Sequence, residues 1–173
     1  MNANKILLLD RDGTLCRAMP RGEYLVRFDQ FELLPGGTEL IVAAKERGYS
    51  VAVVTNQPQI AKGLMPLEEL EKIHAHMRKM LPGIDAVYYC PHQDADQCVC
   101  RKPKPGMLLR GLEELQGDPS KSLMVGDSDN DVGAGQAAGC KTIFIKDNQN
   151  AHELARVKPD YVLNQLIDVI PLL

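Results

Sequence analysis

Six short apolar runs, Lys5 to Leu9, Ser50 to Val54, Val87 to Tyr89, Leu123 to Val125, Thr142 to Ile145 and Tyr161 to Leu163, recur along this chain with helical patterns between them. Strands so rich in leucine and β-branched residues suit a sheet covered on both faces, and a helix between them is the crossover that parallel neighbours require. The clearest helical pattern is Leu67, Leu70, Ile73, Met77 and Met80 or Leu81, behind Pro66 at a first-turn position. His74 and His76 ride on it; with no ligand or base partner nearby in sequence, both read as surface or edge residues. Further helices are expected over Thr38 to Arg47, ended by Gly48, from about Pro105 to Leu115, and over Asp129 to Ala138, ended by Gly139 as a left-handed cap. The predicted fold class is α/β, a doubly wound, Rossmann-like parallel sheet. At 173 residues and 45% hydrophobic content the chain can bury one sizeable core but not two domains and a linker, so residues 1–173 are expected to form a single domain.

Twenty basic against 23 acidic residues leave a net charge of −3, which provides no electrostatic footprint for nucleic acid or an anionic membrane. Any phosphate binding must be local, and a small-molecule partner is expected. The longest apolar stretches run only a few residues, and the N-terminus lacks the basic region, apolar core and cleavage site of a signal peptide. A cytoplasmic monomer is the expectation.

In doubly wound sheets ligands bind beyond the carboxyl ends of the strands, which directs attention to Asp10, Thr55, Cys90 and Asp127. In Asp10-Arg11-Asp12-Gly13-Thr14 two carboxylates one residue apart at the mouth of a buried strand repel each other unless a cation sits between them. Hard oxygen ligands on a short turn suit Mg²⁺ and leave a carboxylate for attack on phosphorus; an ordinary Asp/Gly turn is the alternative. Gly126-Asp127-Ser128-Asp129-Asn130-Asp131 leads into a helix whose N-terminus favours negative charge. Asp129 and Asp131 suit a helix cap, whereas Asp127 stands where it could share a metal with Asp10. Thr55-Asn56-Gln57 offers a hydroxyl and amides to phosphate oxygens, and Arg101-Lys102-Pro103-Lys104-Pro105 concentrates cations on a proline-stiffened segment.

Three of the five cysteines lie close together: Cys90-Pro91-His92, five residues, then Cys98-Val99-Cys100. Three thiolates and an imidazole make a four-ligand zinc pattern with no open position, hence structural, in a loop of about residues 90–102. Such a knot would aim Arg101 and Lys102, which follow immediately. Cys16 and Cys140 stand apart and read as small buried side chains.

Asp10-x-Asp12-Gly-Thr14, Thr55, Lys102 and Gly126-Asp127, in this order, resemble the haloacid dehalogenase superfamily phosphatases, a likeness that covers Lys5 to Leu173. The Cys-x-His…Cys-x-Cys loop running into Arg101-Lys102-Pro103 is similar to the branch holding D-glycero-D-manno-heptose 1,7-bisphosphate 7-phosphatases and histidinol-phosphate phosphatases. The resemblance implies a fold without a large cap domain and an Mg²⁺-dependent hydrolysis of phosphomonoesters. It implies Asp10 as nucleophile, Asp12 as general acid/base, and Asp10, the Asp12 carbonyl and Asp127 as Mg²⁺ ligands. Thr55 and Lys102 would stabilise the phosphoryl group, with substrate contacts from Asn56, Gln57, Arg101, Arg21, Tyr24 and Ser128.

Tyr88-Tyr89-Cys90-Pro91-His92, Arg101 to Leu108 and Thr55-Asn56-Gln57-x-x-Ile60-Ala61-Lys62-Gly63 resemble the heptose subgroup. Against it stand the five-residue zinc spacer, more like the histidinol-phosphate enzymes, Pro58-Gln59 in place of Ser-Gly, and Lys62 in place of arginine. The stretch from Cys16 to Leu34 is expected to hang over the site with Arg17, Arg21 and Arg27, which suit a second phosphate better than an amine. A heptose bisphosphate is therefore the expected substrate, with histidinol phosphate the alternative. A polynucleotide end is disfavoured by the charge balance, and a catalytically dead zinc-stabilised module by the intact set Asp10, Asp12, Thr55, Lys102 and Asp127.

Overall fold

The computed structural model describes residues 4–20 and 22–173. Six parallel strands, β1 (Lys5–Leu9), β2 (Tyr49–Asn56), β3 (Ala86–Cys90), β4 (Leu123–Gly126), β5 (Lys141–Ile145) and β6 (Tyr161–Leu163), form one sheet in the order β3-β2-β1-β4-β5-β6. Helices α1 (Gly37–Glu46), α2 (Leu67–Met80), α3 (Gly106–Glu114) and α4 (Asp129–Ala138) occupy the first four crossovers. The doubly wound class expected from the sequence is what the chain adopts, with each expected strand and helix present.

Both faces of the sheet are covered. Leu7 and Leu9 of β1 pack with Leu40, Ile41 and Ala44 of α1, Met77 of α2 and Val169 near the C-terminus. Ile6 and Leu8 point the other way, onto Leu108 and Leu112 of α3 and Ala134 and Ala138 of α4. The period-two alternation of a strand thus buries every residue of the run Ile6 to Leu9, which explains why the run is continuously apolar. Gly139 ends α4 in the left-handed conformation at φ 80°, as expected.

Between β1 and α1 the chain makes an excursion that returns on itself, with Arg17 N–H donating to Glu32 O at 2.8 Å and Leu34 N–H to Leu15 O at 2.9 Å. Its apolar underside, Cys16 and Leu25, packs on Met65, Leu70 and Ile73, so α2 serves the main core and this smaller one together. The excursion is fastened to α2 by Phe28 N–H donating to Glu69 Oε1 at 2.8 Å and by the edge of His76 against Phe28 and Phe31. It is the small loop that overhangs the site, and the fold carries no large cap.

Two expectations change here. His74 is buried, not on the surface: it sits four residues after Leu70 and three before Met77, inside the apolar stripe of α2, and its ring meets Arg11 and Tyr89. His76 keeps its edge position. Strand β2 runs on through Thr55 and Asn56, because pairing with Tyr89 and Cys90 of β3 continues that far. Among the described residues no helix is long and apolar enough to cross a membrane.

Candidate active site

Strands β1 and β4 are neighbours although two strands, β2 and β3, separate them in sequence order, and at this pair the winding of the sheet reverses direction. A crevice opens beyond the carboxyl ends at such a point. The loops leaving the two strands carry Asp10 and Asp127 into it, and Asp10 N–H donates to Val125 O at 2.9 Å to hold the first loop against the second strand. Two glycines permit the approach. Gly13 has φ 93°, and a Cβ there would lie 2.0 Å from Asp127 Oδ2; a Cβ on Gly126 would lie 2.3 Å from Asp131 Cγ.

Asp10, Asp127 and Asp131 each bring a carboxylate oxygen within 4.8 Å of the others. Lys102 reaches into the group from the segment after the cysteine loop, with Nζ 2.6 Å from Asp10 Oδ1, 2.6 Å from Asp131 Oδ1 and 2.8 Å from the Val54 carbonyl. Desolvation opposes its charge, but the two carboxylates prevail and raise its pKa. Asp10 is driven up to about 7, first by burial and then by Asp131, with Lys102 pulling the other way. Burial, then Asp10 and Asp131, push Asp127 well above the ordinary carboxylate range. Three carboxylates against one ammonium leave an excess of negative charge in a poorly solvated place, which a divalent cation with a preference for hard oxygen ligands offsets. Asp10 and Asp127 fit that role; Asp131 is committed to Lys102.

Asp131 was legible in sequence only as a cap. It is one, since Ser128 Oγ accepts from Asp131 N–H while Ser128 N–H donates to Asp131 Oδ2 at 3.1 Å. The same carboxylate turns its other oxygen to Lys102, a contact that the Ser128-x-x-Asp131 capping box does not announce.

The cleft over this group has a volume of about 310 Å³ and is lined by Asp10, Asp12, Thr55, Lys102 and Asp127, with Tyr24, Asn56, Arg101 and Ser128 among its walls. Asn56 does its work through the backbone of Lys102, donating to its carbonyl at 3.0 Å and accepting from its N–H at 3.1 Å. Arg101 is held over the cleft by Asp94 and the His92 carbonyl. Tyr24 is tied by its hydroxyl to Lys62 Nζ at 2.6 Å, joining the overhanging loop to the turn after β2.

Gln57 departs from the expectation of a substrate contact. It is fully buried, and its amide donates to Asp12 Oδ2 at 2.8 Å and Thr55 Oγ1 at 2.7 Å, so it orients those side chains from beneath. Arg17 and Arg27 pair with Glu32 and Asp29 on the exposed side of their loop and do not line the cleft. Arg21 lies outside the described residues. Arg11, which sequence reasoning passed over, is fully buried and grips Asp12 with Nε at 3.0 Å and Nη2 at 2.8 Å.

The second cluster is where the sequence placed it. Cys90, at the end of β3, has its Sγ 3.6 Å from Cys98 Sγ, 3.2 Å from Cys100 Sγ and 3.6 Å from His92 Nδ1. A tetrahedron with metal–sulfur bonds of about 2.3 Å places its ligand atoms about 3.7 Å apart, so the four donors fit a zinc site. Burial opposes ionisation of Cys98, yet the Arg101 N–H and the Cys100 and Cys90 thiols bring it down to about 7, a start toward the thiolate a metal needs. Arg101 and Lys102 follow Cys100 directly, so a metal held by these four donors would order the segment that leads into both cations. Cys16 and Cys140 are buried and unpaired, as expected.

A HAD-hydrolase-like family model matches residues 99–169. The D-glycero-beta-D-manno-heptose-1,7-bisphosphate 7-phosphatase of Pasteurella multocida is 37% identical over 95% of this chain and 94% of its own length. That of Pseudomonas aeruginosa is 34% identical over 93% of this chain and 92% of its own. A crystal structure of the D,D-heptose 1,7-bisphosphate phosphatase from B. bronchiseptica, complexed with magnesium and phosphate, superposes with a TM-score of 0.87 at 30% identity, covering 97% of each chain. At this identity, over nearly the whole of both chains, this chain is a phosphoric monoester hydrolase that belongs to the haloacid dehalogenase superfamily, in the family of the heptose bisphosphate phosphatases.

Proposed function

We propose that this enzyme removes the 7-phosphate of D-glycero-D-manno-heptose 1,7-bisphosphate through an aspartyl phosphate on Asp10. The observation that carries the reading is the meeting of Asp10 with Lys102 and Asp127 at the floor of an open cleft rimmed by Arg101. Asp10 attacks phosphorus, the bridging P–O bond breaks, and Asp12 gives its proton to the departing alkoxide. Asp12 then takes a proton from the water that hydrolyses the acyl phosphate, returning Asp10 and releasing inorganic phosphate. Lys102 and the Thr55 hydroxyl hold the phosphoryl oxygens while charge accumulates on them. Mg²⁺ bound by Asp10, Asp127 and the Asp12 carbonyl would supply further charge neutralisation at the same oxygens.

Arg101, with Tyr24, Asn56 and Ser128 around it, forms the rim where the sugar and its second phosphate lie. The cysteine loop holds structural zinc, and residues 1–173 act as one catalytic domain, a cytoplasmic monomer acting on a small phosphate ester. Comparing kcat/KM for the heptose bisphosphate and for histidinol phosphate tests the substrate. A preference for the former with accumulation of the heptose 1-phosphate is expected; equal, feeble rates on both would refute it.

A further inference from the structure

Arg11 has the largest fully buried side chain among the described residues, and the mechanism above gives it no task. Its guanidinium is fully buried, and each of its three nitrogens has a partner. Nε and Nη2 form a fork on the Asp12 carboxylate, Nη2 also donates to Gln57 Oε1 at 2.9 Å, and Nη1 lies 3.1 Å from Nε2 of His74. Guanidinium nitrogens only donate, so Nε2 of His74 is the acceptor, and the ring is neutral with its proton on Nδ1. Gln57 closes the circuit by donating to Asp12 Oδ2 at 2.8 Å.

We infer that Arg11 and His74 are positioning residues for proton transfer by Asp12, an inference that rests on the acid/base role proposed for Asp12. The choice of side chain at position 74 is narrow. A carboxylate there would compete with Asp12 for the fork, and an apolar residue would leave a buried Nη1–H without a partner and free the guanidinium to turn. A neutral acceptor fixes the plane of the guanidinium while leaving its charge to Asp12. Helix α2, otherwise a packing element, thereby reaches the chemistry through one imidazole.

The test uses His74→Leu, His74→Gln and Asp12→Asn in the full-length protein, with kcat/KM measured on phosphomonoesters whose leaving groups range from alkyl alcohols to p-nitrophenol. Loss of proton delivery matters most for poor leaving groups. His74→Leu is expected to lose about tenfold on alkyl esters, part of what a general acid contributes. Its loss on p-nitrophenyl phosphate should be clearly smaller, its KM little changed, and His74→Gln, which keeps an acceptor, should recover most of the rate. A uniform loss across the series, or one that follows the fraction of unfolded protein, would overturn the inference and make His74 merely structural. If His74→Leu does not fold, Arg11→Lys, which keeps the charge without the fork, carries the same comparison. Asp12→Asn separates the two levels: unimpaired alkyl-ester turnover in that variant refutes the acid/base role itself, whereas a selective loss there without one in the position-74 or position-11 variants refutes only the relay.

Discussion

Lys102 holds the site together at the scale of a single residue. It is 97% hidden at the side chain, 3% being exposed, and spans two carboxylates that would otherwise repel. Lys102→Ala should lower kcat by about 10²- to 10³-fold, the range found for removing a preorganised charge-stabilising donor, as steady-state kinetics would show. His74 has a separate signature in stability. Desolvation first, and the Arg11 guanidinium second, lower its pKa from 6.5 to about 3. Between those values the unfolded chain binds the proton that the folded chain refuses. The contribution is therefore complete above pH 6.5 and erodes as the pH falls toward 3, with a slope of at most about 1.4 kcal/mol per pH unit. Urea midpoints measured from pH 7 downward should fall less steeply in His74→Gln than in the natural protein. Asp10, Asp12, Thr55, Lys102 and Asp127 were legible in the sequence because each is placed by its own strand or by the residues beside it. Arg11, His74 and Asp131 were not, since their roles come from partners brought together by the fold, 63 residues apart for Arg11 with His74 and 29 for Lys102 with Asp131.

Among elements, the loop from Cys90 to Lys102 is exposed from Asp94 to Gln97, and only its cysteines pack on the core. Cys90 is anchored by β3, while His92, Cys98 and Cys100 are only half-buried and are joined by a turn that contributes little core. Metal analysis is expected to find about one zinc per chain, and chelation to lower the melting temperature and the activity together, because releasing the knot frees Arg101 and Lys102. Less than that content, with unchanged melting after chelation, would contradict the role. The loop could be read in sequence since four ligands at such short spacing need no fold to meet. Strand β2 could not be bounded so well. Its last residues, Thr55 and Asn56, are polar and turn-like in composition, and it is pairing with β3 that holds them extended.

At the scale of the whole molecule the alternation of strands and helices foretold a doubly wound sheet, but the order β3-β2-β1-β4-β5-β6 follows from the hand and direction of the crossovers, which no local run of residues encodes. That order alone brings Asp10 beside Asp127 and lets a mildly acidic protein with net charge −3 build a strictly local phosphate site. The most direct test of this account is to trap the covalent intermediate. Asp12→Asn, which slows hydrolysis of the acyl phosphate, is mixed with Mg²⁺ and p-nitrophenyl phosphate, whose leaving group departs without a proton from Asp12, then quenched in acid and mapped by mass spectrometry. One phosphoryl group is expected on the peptide carrying Asp10, absent from the Asp10→Asn control. A phosphoryl group on another residue, or undiminished turnover in Asp10→Asn, would contradict it.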